Sequence, residues 1–367
     1  MQKYVCDENR CTGCRACMDK CSKNAITIKD NISTFNAVID TDKCVDCGIC
    51  HSVCPNNNPV ELKRQISYCQ GWSENETERE SSSSGGFAAA ISKLFIQLGG
   101  VVCSCTFENG NFIFKVAEKE SETDCFKGSK YVKSNPEGIY KKVETYLRNN
   151  TKVLFIGLPC QVAGVKNFIN KSLSDKLYTI DLICHGTPSV KVLKQYLKQY
   201  HLELENINKI DFRNNNIFNL QINNKPLINS RTQDLYTYAF LTSLIYTENC
   251  YDCQYATIER AGDITIGDAW GSNLDKDEAD KGISLILCQT KKGEKLLKKL
   301  PFNFHRIDVE TAIKQNKQLQ HPSQMPKERE QFICDIKKGS SFDFAVAKIF
   351  PKHYLKHFIK KTVYKKL

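Results

Sequence analysis

The chain has 367 residues, 19 of them cysteine, with 52 lysines and arginines against 41 aspartates and glutamates and a formal charge of +11. So many thiols behind a start (MQKYVCDENR) that lacks a basic and then an apolar run argue against a disulfide-stapled secreted domain and for a reducing compartment where thiols serve metal. No run approaches the roughly 18 apolar residues of a membrane span, so a cytoplasmic protein is expected.

The first cysteines set one short pattern and repeat it. Cys11, Cys14, Cys17 and Cys21 are spaced C-x2-C-x2-C-x3-C, and Cys44, Cys47, Cys50 and Cys54 follow the same spacing with Pro55 behind them. Two residues between thiolates let consecutive sulfurs wrap one compact cubane, and the fourth cysteine of each run ligates the other cluster. Cys11, Cys14, Cys17 and Cys54 are therefore assigned to one 4Fe-4S cluster, and Cys44, Cys47, Cys50 and Cys21 to a second. Zinc prefers paired C-x2-C units farther apart, which fits these runs poorly. Ser22 stands where a proline would be usual after Cys21, which weakens a turn preference but not the ligand. Cys6 lies outside both runs and reads as a spare thiol. The runs resemble bacterial-type two-cluster ferredoxins over about sixty residues.

The alternating segments NAITIKDN and FNAVIDTD read as small strands between the two runs. Residues 1–62 thus form a dicluster domain expected to fold around its own ligands and to be separable from the rest. About three hundred residues remain for a catalytic body. After a strand around ISYCQGW and an acidic, serine-rich junction, Phe87, Ile91, Leu94, Phe95 and Leu98 mark one helix face closed by Gly99-Gly100. Ser81 to Gly86 lead into that helix. A helix N-terminus bordered by small residues suits a phosphate, although serine is also a routine N-cap.

VVCSCTF and NFIFKVA flank Asn109-Gly110 as a hairpin, and Pro136 is placed to start a helix after the basic loop KGSKYVKSNPEG. KVLFIGL and LYTIDLI are buried-type strands that end in Pro159-Cys160-Gln161 and Cys184-His185-Gly186, each before a helix. In open α/β sheets that edge is where ligands bind. Beyond INKIDFR, IFNLQI and the helical DLYTYAFLTSLIY come Cys250-Tyr-Asp-Cys253 and the strand GDITIGDAWG, then ISLILCQ and KGEKLLKKL as a strand and helix. Cys160, Cys184, Cys250 and Cys253 make a candidate four-thiolate site, read as a third 4Fe-4S cluster, with a redox dithiol at Cys250/Cys253 or a structural zinc left open. Cys103, Cys288 and Cys334 read as buried apolar bystanders.

SSSGGFAAAISKL, KGSKYVKSNP, GLPCQVAGVK, DLICHGTPS, CYDCQYATIERAGDITIGDAWG and KGISLILCQT occur in this order. Together they closely resemble the coenzyme F420 hydrogenase/dehydrogenase beta subunit family between about Ser67 and Gly293. The resemblance implies bound FAD beside an iron–sulfur cluster held by Cys160, Cys184, Cys250 and Cys253. It also implies that Ser84, Gly85 and Gly86 hold the flavin pyrophosphate, that Lys127, Ser129, Lys130 and Tyr131 line the flavin or substrate side, and that Asp263, Gly267 and Asp268 flank the flavin. No catalytic residue is assigned.

The expected fold is α+β, a small ferredoxin-like dicluster domain before a mixed α/β flavin-binding body divided into residues 67–150 and 151–340. Residues 341–367 form a basic amphipathic helix, with Tyr354, Leu355, Phe358, Ile359 and Val363 at helical spacing in its last stretch, PKHYLKHFIKKTVYKKL, which holds six lysines. Such a helix suits an anionic lipid surface or an acidic partner, or else packs on its own domain. Because each oxidised cluster with its four thiolates carries about −2, three of them lower the formal charge to about +5, and no nucleic-acid partner is expected. The expected function is a flavin-dependent iron–sulfur oxidoreductase served by ferredoxin or another redox partner and acting on a small molecule. The alternatives are a coenzyme F420-linked dehydrogenase or reductase subunit and an electron-transfer subunit that feeds a partner enzyme.

Overall fold

A computed structural model describes residues 2–214, 217–229 and 232–363. The first sixty residues form two pseudo-repeated turns, each ending in a one-turn helix, around a hairpin. Helix α1 (Ala16–Lys20) precedes strands β1 (Ile26–Asp30) and β2 (Phe35–Ile39), and α2 (Ile49–Val53) follows them. The repeat is written in the backbone. Gly13 and Arg15 in the first run have φ of 68° and 62°, and Asp46 and Gly48 at the matching positions of the second have 53° and 71°. These left-handed residues curl each loop so that its cysteines face inward, and Arg15 and Asp46 accept backbone strain that glycine would avoid.

The body is built on one mixed sheet. Its elements are β3 (Ser67–Ser73), α3 (Glu76–Glu80), α4 (Phe87–Gln97), β4 (Val101–Glu108), β5 (Asn111–Ala117), α5 (Ile139–Arg148), β6 (Val153–Gly157), α6 (Pro159–Phe168), β7 (Leu177–Leu182) and α7 (Val190–Lys198). A separate three-stranded sheet, β8 (Ile210–Asn214), β9 (Ile217–Ile222) and β10 (Lys225–Pro226), leads to α8 (Leu235–Leu241), after which β11 (Ile264–Asp268), β12 (Ser284–Cys288) and β13 (Phe302–His305) complete the main sheet. Its eight strands run in the order β13-β3-β12-β11-β7-β6-β4-β5. The centre, β4-β6-β7-β11, is parallel, and both flanks are antiparallel.

Both faces of the centre are buried, as parallel strands require. Val153 and Phe155 join a core with Tyr140, Val143, Val162 and Phe168, whereas Leu154 and Ile156 join the opposite core with Phe87, Ile91 and Phe95. The Asn109-Gly110 turn is a hairpin, with both residues at positive φ. Helix α5 starts three residues later than Pro136 suggests, behind Gly138 at φ 78°, and α8 stops at Leu241, just before Ser243 turns left-handed at φ 60°.

The halves 67–150 and 151–340 share the main sheet, with β3 of the first between β13 and β12 of the second and β4-β5 of the first at the other edge. The dicluster region does not stand apart. Val5, Ala16, Phe35 and Val53 lie in one apolar core with Tyr140, Val162, Phe168 and Tyr255 of the body. Polar contacts reinforce that seam: Asp19 accepts from the N–H groups of Gly138 and Tyr140 at 2.7 and 3.2 Å, and Ser189 donates to Asp30 at 2.6 Å.

Among the described residues no helix is long and apolar enough to cross a membrane. The C-terminal helix Pro351–Val363 docks through His353, stacked on Tyr238 at 3.5 Å, and through buried His357. Leu355, Phe358 and Ile359 of its apolar stripe stay more than half exposed, so this stripe is not the packing face. The last four residues of the expected 341–367 segment lie outside the described residues.

Candidate metal centres and the adjoining cavity

The twelve cysteines assigned above lie in three regions of the structure. In the first, Cys11, Cys14, Cys17 and Cys54 are all buried. Burial raises the thiols of Cys14 and Cys17, and the nearby Cys54 of the second run raises both further. Cys6 is a fifth thiol against Cys11 and Cys54, its pKa pushed up to about 11 chiefly by the contact with Cys11.

In the second set, Cys21, Cys44, Cys47 and Cys50 line one cavity of about 480 Å³. Cys47 is exposed, as are Val45 and Ile49 beside it. The repeat extends to hydrogen bonding: Gly13 N–H points to Cys11 Sγ and Asp46 N–H to Cys44 Sγ, both at 3.4 Å. Amide donors aimed at sulfur suit a thiolate carrying negative charge.

The third set is assembled from three places in the fold. Cys160 lies in the first turn of α6 at the carboxyl end of β6. Pro159 fits the first helical position, and Gln161 caps the turn, its Oε1 accepting from Leu158 N–H at 3.0 Å while its Nε2 donates to Ser134 at 3.0 Å. Cys184 follows β7. Cys250 and Cys253 are brought to it by a buried clamp: Asp181 on β7 accepts from Ala261 and Gly262 N–H at 3.1 Å each and faces the Arg260 guanidinium at 3.4 Å. Arg260 also donates to the carbonyls of Tyr255 and Leu182 at 2.6 and 2.9 Å, tying the loop behind Cys253 to the strand that carries Cys184. Burial raises Cys184 and Cys253, the latter to about 12, and in both cases Cys250 and Cys160 add to it.

These surroundings penalise four bare thiolates, so each set fits a group whose positive core offsets their charge. Among the described residues no three His, Cys, Asp or Glu side chains are grouped closely enough to hold a single metal ion. Members of the three sets share one apolar core, with Cys11, Cys14, Cys17 and Cys54 inside it and Cys21, Cys44, Cys50, Cys160 and Cys253 packed against it. Cys50 raises Cys17, and Cys14 and Cys160 influence a common neighbour in Tyr140. A Cβ on Gly164 of α6 would stand 3.4 Å from Cys14 Sγ, so glycine there lets the first set approach the helix of Cys160. Tyr140 Oη donates to the Cys14 carbonyl at 2.8 Å and closes the same contact.

Cys184, His185 and Gly186 also line a second cavity, of about 470 Å³, at the carboxyl ends of the parallel strands. Eight of the ten sequence-predicted cofactor residues border it: Ser84, Gly86, Lys127, Ser129, Lys130, Tyr131, Gly267 and Asp268. The first turn of α4 faces it through Gly86, Ala88 and Ala89. Gly85 and Asp263 do not. A Cβ on Gly85 would lie 2.3 Å from the Gly71 carbonyl, so its smallness serves strand packing. Asp263 is turned to Thr179 and Thr290, accepting from their hydroxyls at 2.9 Å each.

Of the polar residues that do line the cavity, Lys127 pairs with Asp124 at 2.8 Å and Lys130 donates back to the carbonyls of Phe126 and Lys127 at 2.8 and 2.7 Å. Asp268 holds Arg213 in a two-point ion pair at 2.6 and 3.0 Å. Tyr131 stacks on Phe240 at 4.2 Å, and Arg213 lies 4.5 Å over Phe218, making a wall suited to a planar ring. Sequence reasoning missed Arg213, Phe218 and Phe240, which carry no local motif. It also missed Lys133, whose Nζ stands 3.3 Å from Cys160 Sγ. Cys103 and Cys288 are buried bystanders as expected, but Cys334 is exposed.

Residues 150–310 match the family model described as the C terminus of the beta subunit of coenzyme F420 hydrogenase/dehydrogenase, and residues 10–58 match a 4Fe-4S dicluster domain. Sixty-one residues are 38% identical to a component of an ion-translocating oxidoreductase complex from Methanosarcina acetivorans, covering 17% of this chain and 21% of that protein. The chain thus matches about a fifth of the length of that relative. A solved structure of the F420-reducing nickel–iron hydrogenase complex from Methanosarcina barkeri superposes with a TM-score of 0.48 at 18% identity, covering 76% of this chain and 96% of the other.

Proposed function

We propose that the chain is an iron–sulfur flavoprotein oxidoreductase that takes or gives single electrons at its N-terminal region and reduces or oxidises a small molecule in the cavity beside Cys184. The observation that supports the reading is the spread of cysteines from exposed Cys47, through buried Cys11, Cys14, Cys17 and Cys54, to Cys184 in the cavity wall. The first two sets would each hold a 4Fe-4S cluster, in line with the dicluster match over residues 10–58, and the third set a further one. FAD is the proposed occupant of the cavity, its pyrophosphate at Ser84, Gly86 and the first turn of α4 and its ring against Tyr131 and Phe240. When bound, the clusters supply one-electron transfer and the flavin exchanges one electron for two.

The protein's own part is to hold and to shield. Burial of the first set keeps water from the middle of that spread, while exposure of Cys47, Val45 and Ile49 leaves an apolar edge where a ferredoxin or other redox partner can approach. A second reading, exchange with coenzyme F420 in the same cavity, is favoured by the family match over residues 150–310. A chain that only relays electrons to a partner enzyme is favoured by the relative's place in an oxidoreductase complex. The exposed Leu355, Phe358 and Ile359 among lysines suit contact with an anionic membrane surface, and a cytoplasmic location fits the unpaired thiols.

Anaerobic reconstitution should give about twelve iron and twelve sulfide per chain, since each cluster holds four of each. Flavin should be released on denaturation. Bleaching of that flavin by one of a panel of reduced coenzymes, coenzyme F420 included, identifies the substrate class. A chain that exchanges electrons with ferredoxin but shows saturable bleaching by none is the relay.

A further inference from the structure

Lys133 sits where the dicluster region meets the body. Its N–H donates to the Pro188 carbonyl at 2.9 Å, which fixes the backbone, and its ammonium reaches inward to 3.3 Å from Cys160 Sγ. Cys250 of the third set and Cys14 of the first also act on that ammonium, so it faces two sets at once. Gly13 of the first loop packs beside its stem, since a Cβ there would lie in ordinary contact with Lys133 Cε at 3.5 Å. Among the described residues no carboxylate forms an ion pair with Lys133, whereas the nearby Arg260 is taken up by Asp181. The counter-charge of this ammonium is therefore the sulfur of the two sets.

We propose that Lys133 sets the reduction potential of the third cluster, raising it above the value the four thiolates alone would give. This rests on the proposed cluster at Cys160, Cys184, Cys250 and Cys253. Reduction adds one negative charge to a cluster that already carries about −2, and a fixed positive charge a few ångströms away favours the more negative state. The four cysteines of the third set are partly buried, so that attraction is less screened than between fully exposed charges. Lys133 acts through Cys160 and is a positioning charge, not a catalytic residue.

The test is a redox titration of the reconstituted full-length protein, followed by electron paramagnetic resonance, for the wild type, Lys133→Arg, Lys133→Gln and Lys133→Met. Glutamine keeps a hydrogen-bond donor towards sulfur without the charge, and arginine keeps the charge. Lys133→Gln and Lys133→Met should shift the third cluster at least tenfold towards its oxidised form at a given potential, about 59 mV for a one-electron couple. Lys133→Arg should stay close to the wild type, and the cluster of Cys21, Cys44, Cys47 and Cys50 should not move in any variant. A third cluster that titrates unchanged in Lys133→Gln overturns the proposal. So does its loss from both uncharged variants, with iron falling to about eight per chain, because that assigns Lys133 to assembly. If the wild type itself lacks a third cluster, the failure lies with the reading beneath.

Discussion

The second and third thiol sets hold the same four ligands by opposite means. The second is local: three of its cysteines lie within seven residues, shaped by Asp46 and Gly48 at positive φ, and the set is open to solvent. The third is global, since its cysteines come from the first turn of α6, the segment after β7 and a loop strapped down by a buried Arg260–Asp181 pair. A local set tolerates change elsewhere in the molecule. A global one fails with the packing that assembles it.

The first set is the hinge of that contrast, local in its loops but buried against α6. Deleting residues 1–61 should therefore have the largest effect. Tyr140, Val162, Phe168 and Tyr255 would lose the apolar partners they share with Val5, Ala16 and Phe35, and the truncated body should be insoluble or unfold far more readily than the full chain. This replaces the sequence-based expectation of a separable module. A soluble truncated protein with an unchanged urea midpoint would restore it.

Asp181→Asn comes next. It leaves the guanidinium of Arg260 buried without its counter-charge, at a cost of about 3–5 kcal/mol, and frees the loop behind Cys253. Urea unfolding should show that loss, and iron should fall from about twelve towards eight per chain while the second set keeps its cluster. Retention of all twelve would mean that the clamp does not assemble the third set.

Ala88→Asp should act only on the cavity. An aspartate in the first turn of α4 agrees with the helix dipole, so the fold is kept while a negative charge stands where a flavin phosphate is proposed. Flavin per chain should drop at least tenfold with iron unchanged. Full flavin occupancy would move the pyrophosphate away from α4.

The smallest effect concerns acid. Burial lowers the proton affinity of His357 and His353, and Lys356, Lys360 and Lys361 act in the same direction, opposed for His357 by Asp343 and its contact with Gln233. The detached helix therefore takes up protons first as pH falls below about 6.5, so its docking weakens from there through the lowered docked values. Hydrogen exchange across residues 351–363 should be faster at pH 5.5 than at pH 7.5. Equal protection at both would show that these histidines do not hold the helix.

The same contrast explains what was legible beforehand. The spacing of Cys11 to Cys54 carries its own geometry, so the dicluster region over residues 10–58 could be read from the chain. Strand ends marked Cys160 and Cys184, but joining them to Cys250 and Cys253 needed a family resemblance, because no spacing rule reaches across a sheet. Gly85 and Asp263 were misplaced for a related reason: motif neighbours of cavity residues need not face the cavity, and these two serve strand packing and threonine hydroxyls. The exposed stripe Leu355, Phe358 and Ile359 shows that helical periodicity finds an apolar face but not what covers it.

The central claim is the order of electron transfer, from Cys47 at the surface to Cys184 at the cavity. Rapid mixing of reduced ferredoxin with the reconstituted protein, comparing wild type and Cys253→Ala, tests it most directly. The account predicts that in Cys253→Ala the N-terminal clusters are still reduced at the wild-type rate while bleaching of the flavin slows at least a hundredfold. Bleaching at the wild-type rate in that variant would show that electrons reach the cavity by another path and would contradict the order proposed.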